Sequence, residues 1–523
     1  ILTDIALACD ATRAVRTLYR AARVRTQSYP ETGEWLLIDD RHVQRVGSDE
    51  PPEADRVVDL PGATIVPGFI DTHVHLTATG LSLANTDVES ARSARDLLAA
   101  ARTRTASTPG DGPVYLQGYD ETRWDDPRLP TTEDLDAVTE RALLIRRTDG
   151  HVALANTVAI QRAIERSDTP VPIGVERGQD GSPTGVLTGD ANNAVGRWAL
   201  STLSDHELQG LQLKAAGLAA ARGITAVHEM AMPHWHGETD LRVLLQHRSR
   251  LPIDATPIVA TTDLSVAIRY ELTAVGGDLP TDGSIGARTA AVHAPYLDTD
   301  DAGATAYPDD ELAEFFHGGH AAGLQVGVHA IGDRAIEQVL GTWERVYQAL
   351  DSRERRHFRA RRHRVEHFEM PSYAQIERTA VLGLAVSVQP AFDRSWGGEG
   401  GLYEQRLGAD RAATMNPFRT LLERGVEVGV GSDAPVTALD PMLCLVSLES
   451  HHHPAQRVTR TEAIRLHTIG SARVGHQEEK KGSLSPGMHA DFVAFDDDPF
   501  TAISIEGLRP VLTVSLGREV FAA

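Results

Sequence analysis

A chain of 523 residues, 41% of them hydrophobic, can bury a large core and has room for roughly two to four domains. Its formal net charge of -22 argues against nucleic acid or an anionic membrane as partner, and no apolar run approaches the roughly 20 residues of a membrane span. With only Cys9 and Cys444, a disulfide framework is not expected and a cysteine-built zinc site is excluded.

The first residues, "ILTDIALACDATRAV", lack a basic start and a long apolar centre, so no signal peptide is expected and a cytoplasmic setting is the default. Short strands follow in "EWLLIDD", "HVQRVGS" and "DRVVDL". The C-terminal stretches "GSLSPGMHADFVAFDDDPF" and "VLTVSLGREVFAA" have the same alternating character. Residues 1–62 and 482–523 are therefore expected to pack as one small β-sandwich built from both chain ends. Between them the pattern becomes strand then helix. Apolar strands end in polar residues at "TIVPGFIDTHVH" (the first barrel strand, within 63–84), "ITAVHEM", "PIDATPIVATTD", "LQVGVHAIGD", "HRVEHFE", "LAVSVQP" and "VEVGVGSDAP". Capping boxes open two of the helices, at Ser204/Glu207 and Ser372/Gln375. With a further strand near 270–282 the count reaches eight, which predicts an α/β chain with a (β/α)8 TIM-like barrel. The barrel resumes at 206–481 after an interruption at 85–205. That interruption carries its own strands, "GPVYLQGYD" and "RALLIRRTDGH", and a Pro/Gly-rich stretch at 168–189. It reads as an inserted subdomain over the barrel mouth.

The strand ends carry the chemistry. His73 and His75 are two apart, which in a strand puts both side chains on one face. His228, His329, His367 and Asp433 end other strands, and in such a barrel all strand C-termini converge on one mouth. Imidazoles with a carboxylate suit zinc or a similar divalent ion. Water at an open position of such an ion has its pKa brought down to about 7. Asp433 could accept that proton and pass it to a leaving nitrogen, which describes hydrolysis of a C–N bond.

These stretches also carry a resemblance. "PGFIDTHVHL" and "GSDAPV" resemble the first-strand and last-strand motifs of the amidohydrolase superfamily. "RRTDGHVALANTVAI", "DGSIGARTAAVHAPY", "GVHAIGDRAI", "RVEHFE", "SVQPAF" and "KGSLSPGMHADFVAFDDDPF" resemble, in order, the long-chain branch that includes N-substituted formamide deformylase. The resemblance covers nearly the whole chain and implies a metal-dependent hydrolase of C–N bonds other than peptide bonds. It implies His73, His75, His329, His367 and Asp433 as metal ligands and general base, with His367 and Asp433 in the catalytic set. Many members carry a strand-four lysine, carbamylated to bridge two metals. Here "GGDLPTDGS" occupies that stretch, Asp278 stands in the lysine's place, and the only lysines, Lys214, Lys480 and Lys481, lie elsewhere. One ion per chain is expected, with zinc the ion of choice; the alternative is that Asp278 stands in as a bridging carboxylate.

Weaker signals remain. His151 and His228 are candidates for substrate binding, each with a plain structural reading beside it. Glu229 reads as a helix-start or loop carboxylate. "HHHP" at 451–454 reads as a solvent-exposed loop away from the strand ends. "RSWGGEGGLYEQR", 394–406, is either a mobile lid or a simple loop. The leading function is hydrolysis of an N-acyl or N-formyl small molecule. A deaminase of an aminated heterocycle and a non-catalytic metal-binding scaffold are the alternatives, and a homodimer is left open.

Overall fold

The computed structural model describes residues 15–84, 88–108, 110–148, 150–165, 174–233 and 237–523. Cys9, the N-terminal segment inspected for a signal peptide and part of the 168–189 stretch lie outside the described residues.

Four strands come first: β1 (Arg16–Arg25), β2 (Thr32–Asp39), β3 (His42–Gly47) and β4 (Arg56–Pro67). The first barrel strand, β5 (Phe69–Val74), follows β4 almost without a break. The insertion then supplies β6 (Val114–Tyr119), β7 (Leu143–Arg147), β8 (Val152–Ala155), β9 (Val175–Arg177) and β10 (Pro183–Thr188). Barrel strands resume with β11 (Ile224–Ala231), β12 (Asp254–Val259), β13 (Ala274–Val275), β14 (Gln325–Ala330), β15 (Arg364–His367), β16 (Ala385–Val388) and β17 (Glu427–Val430). The chain closes with β18 (Phe492–Phe495), β19 (Pro510–Ser515) and β20 (Arg518–Ala522).

These strands form three sheets. The barrel sheet runs β5-β11-β12-β13-β14-β15-β16-β17 and is parallel throughout. A parallel bridge between Val74 and Ala434 brings its two ends together. The His75 N–H donates to the Ala434 carbonyl (3.0 Å) and the Asp433 N–H to the His73 carbonyl (2.8 Å) across the same seam. Barrel strands are buried on both faces, as covered parallel strands must be; β14 is buried at every position. The short β13 is all that forms of the strand expected near 270–282. Helices cover the outside, and both capping boxes read from the sequence are present, at Ser204/Glu207 and Ser372/Gln375.

The two chain ends meet in one seven-stranded sheet, β3-β2-β1-β4-β18-β19-β20, in which β18 pairs antiparallel with β4. The insertion forms a five-stranded sheet, β6-β7-β8-β10-β9. Its alternation is strict. Leu143 and Ile145 join one apolar cluster with Leu97 and Leu116, while Leu144 joins another with Val195 and Trp198. The sheet thus has a core on each face, both separate from the barrel's.

Two sequence readings are corrected. The 451–454 loop is solvent-exposed only at Pro454: His451 is fully buried, His452 and His453 are partly buried, and His452 is held by the Asp393 carboxylate. Glu229 lies on strand β11 rather than in a loop, although it does accept the N–H of Leu76 (2.6 Å), which opens the helix Leu76–Ala84.

Candidate metal centre

His73, His75, His329, His367, Asp278 and Asp433 converge at the C-terminal mouth of the barrel, and all are buried. Two groups of three have ligand atoms within 4.8 Å of one another: His73–Asp278–His367 and His73–His75–Asp433. Asp278 stands between them. Its Oδ1 lies 3.2 Å from both His329 Nδ1 and His367 Nε2, and its Oδ2 lies 3.5 Å from His75 Nε2. Asp433 Oδ1 lies 3.2 Å from His75 Nε2 and 3.5 Å from His73 Nε2. His329 therefore meets the cluster through Asp278.

The imidazoles share one arrangement. Each turns one nitrogen outward to an acceptor: His73 Nδ1 to Glu366 (3.0 Å), His75 Nδ1 to the Met230 carbonyl (3.0 Å), His367 Nδ1 to Gln389 Oε1 (2.8 Å) and His329 Nε2 to the Gly283 carbonyl (3.3 Å). An outward N–H fixes the tautomer and leaves the other nitrogen's lone pair aimed at Asp278 or Asp433. Lone pairs facing carboxylates repel unless a cation lies between them. Accordingly His73 Nε2 and Asp433 Oδ1 are buried without a hydrogen-bond partner. These donors fit a divalent ion by type, by orientation and by their outer hydrogen bonds.

The carboxylates and imidazoles also act on one another's charge. Burial opposes a charged His73, but Asp278 and Asp433 outweigh it and hold the imidazole well above its ordinary value. Burial opposes an ionised Asp433 too, yet His73 and then His75 keep it below the usual carboxylate range. Glu366, also resisted by burial, is brought down to about 2 by Arg364 and His73. Burial, followed by the neighbouring His329, lowers His367. Glu369, at the cavity wall, goes the other way: burial raises it to about 7, and it accepts a hydrogen bond from Tyr403 Oη (2.5 Å).

Backbone geometry contributes. His367 (φ 69°) and Asp433 (φ 53°) are left-handed where their strands end, a conformation that costs side-chain-bearing residues about 1–3 kcal/mol and gathers at working sites. Gly431 permits the last strand to cross the first: a Cβ there would lie 2.7 Å from the His73 backbone nitrogen.

The chain carries the profile of the amidohydrolase family over residues 56–521. It belongs to that family. This amidohydrolase is 28% identical over 504 residues to the putative amidohydrolase YtcJ of Bacillus subtilis (strain 168), covering 89% of this chain and 91% of that one. It is 24% identical over 479 residues to the N-substituted formamide deformylase of Arthrobacter pascens, covering 86% of each. Among solved structures it is similar to an uncharacterized metal-dependent hydrolase from Pyrococcus furiosus, with a TM-score of 0.73 and 25% identity over 93% of this chain and 100% of that one.

A cavity opens above the cluster. His75, Asp278, His329, His367 and Asp433 form its floor. Phe392, Trp396, Leu402 and Tyr403 form an apolar wall, and Gln117, Arg146 and His151 reach it from the insertion. His151 is thus brought to the cavity. The 394–406 stretch is largely helical, as Pro390–Trp396 and Leu402–Leu407, and supplies part of that wall. His228 is not brought there. It lies deeper in the barrel, where its Nδ1 accepts a hydrogen bond from Arg364 (2.9 Å), and burial pushes it down to about 3. Sequence reasoning missed Asp71, Glu366 and Gln389. Asp71 accepts the backbone N–H groups of His73 and Ser432 (both 3.1 Å), tying the first strand to the loop that bears Asp433. Glu366 and Gln389 stand inside "RVEHFE" and "SVQPAF"; polar residues in otherwise apolar buried strands were the available signal.

Proposed function

We propose that this amidohydrolase cleaves a C–N bond of a small N-acyl or N-formyl compound, with Asp433 as the group that moves the proton. The observation that carries this reading is the position of Asp433: buried, held ionised by two imidazoles, and open to the cavity. His73, His75, His329, His367, Asp278 and Asp433 would hold a divalent ion, for which zinc is the expected choice. When bound, such an ion supplies Lewis acidity toward a carbonyl oxygen and toward water.

The chain's own groups do the rest. The apolar wall of Phe392, Trp396, Leu402 and Tyr403 receives the apolar part of the substrate and excludes bulk water. The Asp433 carboxylate accepts a proton as water adds to the carbonyl carbon. The protonated Asp433 then gives that proton to the nitrogen as the C–N bond breaks, and a carboxylic acid and an amine are released. His151, which lines the cavity, would orient the acyl group. The test is a panel of N-acyl, N-formyl and amino-heterocyclic compounds, assayed separately for carboxylic acid and for ammonia. Carboxylic acid release supports the reading; ammonia from an aminated heterocycle alone would replace it with deamination.

One ion per chain at this centre is the simpler expectation. The divided reach of Asp278, with one oxygen toward His329 and His367 and the other toward His75, favours a second reading in which it bridges two. Elemental analysis of a variant lacking only the centre's ligands, set against the parent, counts the ions held there.

A further inference from the structure

A second His/Asp cluster lies outside the catalytic cavity. Asp393 is on the helix Pro390–Trp396, directly after strand β16, and His451 and His452 follow the helix Pro441–Glu449. Their ligand atoms lie within 4.8 Å of one another. Side-chain exposure is 2% for Asp393, 0% for His451 and 17% for His452. Three potential ligands are therefore withdrawn from water, with one ring left at the edge as an entry route.

The polar contacts are few. Asp393 Oδ1 faces His451 Nε2 at 3.2 Å and also meets His452 Nδ1. Asp393 Oδ2 accepts the His452 backbone N–H (3.0 Å). His451 Nδ1 has the His453 carbonyl at 3.2 Å and the His453 N–H at 3.0 Å. The Asn416 and Ala412 carbonyls lie beside the His451 and His452 rings. His451 Nε2, wholly buried and aimed at Asp393, has no hydrogen-bond partner of good geometry, and neither has His452 Nε2. Each ring turns one nitrogen to the same carboxylate, His451 its Nε2 and His452 its Nδ1, so three ligand atoms of types that bind divalent ions meet at one buried point. Gly397 leaves the necessary room, since a Cβ there would lie 2.7 Å from His452 Nδ1.

We infer that Asp393, His451 and His452 form a second divalent-cation site, selective for a borderline ion such as Zn²⁺ and completed by water. Two imidazoles and one carboxylate with an open fourth position suit that ion class. The site ties the 451–452 segment to the helix that carries Phe392 and Trp396. Phe392 stacks beside His367 (ring centroids 6.0 Å, 10° between planes), and both aromatic residues line the catalytic cavity. An ion there steadies the substrate-facing wall without touching the reacting atoms.

The test compares metal content after the full chain is stripped with chelator, reloaded with Zn²⁺ and desalted. Asp393→Asn/His452→Gln is expected to hold one ion per chain fewer than the parent. A His73→Ala/His75→Ala variant, which disables the barrel centre, is expected to keep one ion that a further Asp393→Asn removes. If the double variant fails to fold, His452→Gln, altered at the most exposed of the three, is expected, in the His73→Ala/His75→Ala background, to weaken the outer ion at least about 10-fold in chelator competition. An unchanged count in Asp393→Asn/His452→Gln, no retained ion in His73→Ala/His75→Ala, or an unchanged affinity in His452→Gln overturns the inference.

Discussion

Two layers of polar side chains cross the barrel, and they are built differently. In the upper layer, at the strand ends, four imidazoles face two carboxylates, and His73 Nε2 and Asp433 Oδ1 have no partner. In the layer beneath, the Arg364 guanidinium donates to both oxygens of Glu366 (2.8 and 3.0 Å), to the Thr72 carbonyl (2.8 Å) and to His228 Nδ1 (2.9 Å). Both layers are buried and charged. The lower one answers its own charge, with only His228 Nε2 left over, whereas the upper one leaves both a buried imidazole nitrogen and a buried carboxylate oxygen without a hydrogen-bond partner. Burial of polar groups alone does not mark a working site; the direction and completeness of their hydrogen bonds do.

The largest test of this contrast is Asp433→Asn, which keeps the shape and removes the basicity. Turnover is expected to fall by about 10⁴ or more, the upper end for a positioned acid–base group, with fold and metal retained. Activity within about ten-fold of the parent would end the proton-transfer assignment, and metal lost along with activity would make Asp433 chiefly a ligand.

Arg364→Met attacks the lower layer instead. It leaves the buried Glu366 carboxylate with His73 Nδ1 alone in place of the guanidinium, so urea unfolding should register a loss of about 3–5 kcal/mol. A loss below about 1 kcal/mol would mean that the lower layer is not the self-sufficient one. Glu366→Gln sits between the layers, because Glu366 serves both Arg364 and His73. Weakening the acceptor of His73 Nδ1 should cost about 10–100-fold in metal affinity, read by competition with a chelator. Unchanged affinity would separate the layers altogether.

The most gradual effect concerns pH. Burial, and after it the neighbouring Asp240, raise Glu229 to about 8. The unfolded chain loses this proton in the ordinary carboxylate range, while the folded chain keeps it to about 8. Stability should therefore fall as pH rises through that window, by up to about 1.4 kcal/mol per unit, and then stop falling on this account. Glu229→Gln should flatten that slope; an unchanged slope in paired denaturation curves would mean Glu229 is ionised throughout.

The parts legible in the sequence were those with a period or a residue type of their own. Strands ending in His or Asp gave the barrel and its ligand candidates, because buried parallel strands read as apolar runs and interruptions stand out. Alternation and the Ser204 and Ser372 boxes gave the local elements. The electrostatic partners were not legible. Glu366 beside Arg364, and Gln389 beside His367, owe their roles to which strands become neighbours. For the same reason the 451–454 histidines looked like surface. Their burial depends on Asp393, 58 to 59 positions earlier in the chain and across a helix packing that no local pattern reports.

The seam between β5 and the residues after β17 has a consequence for how the protein is made. His73 and Asp433 are 360 positions apart, yet each holds the other's backbone in place through the Asp433 N–H to His73 carbonyl bond. A nascent chain still on the ribosome displays His73 and His75 early but cannot assemble their site until the segment around Ala434 has emerged and closed the ring. A fragment ending before that point carries His73, His75, Asp278, His329 and His367 but lacks both Asp433 and the backbone bonds that close the ring.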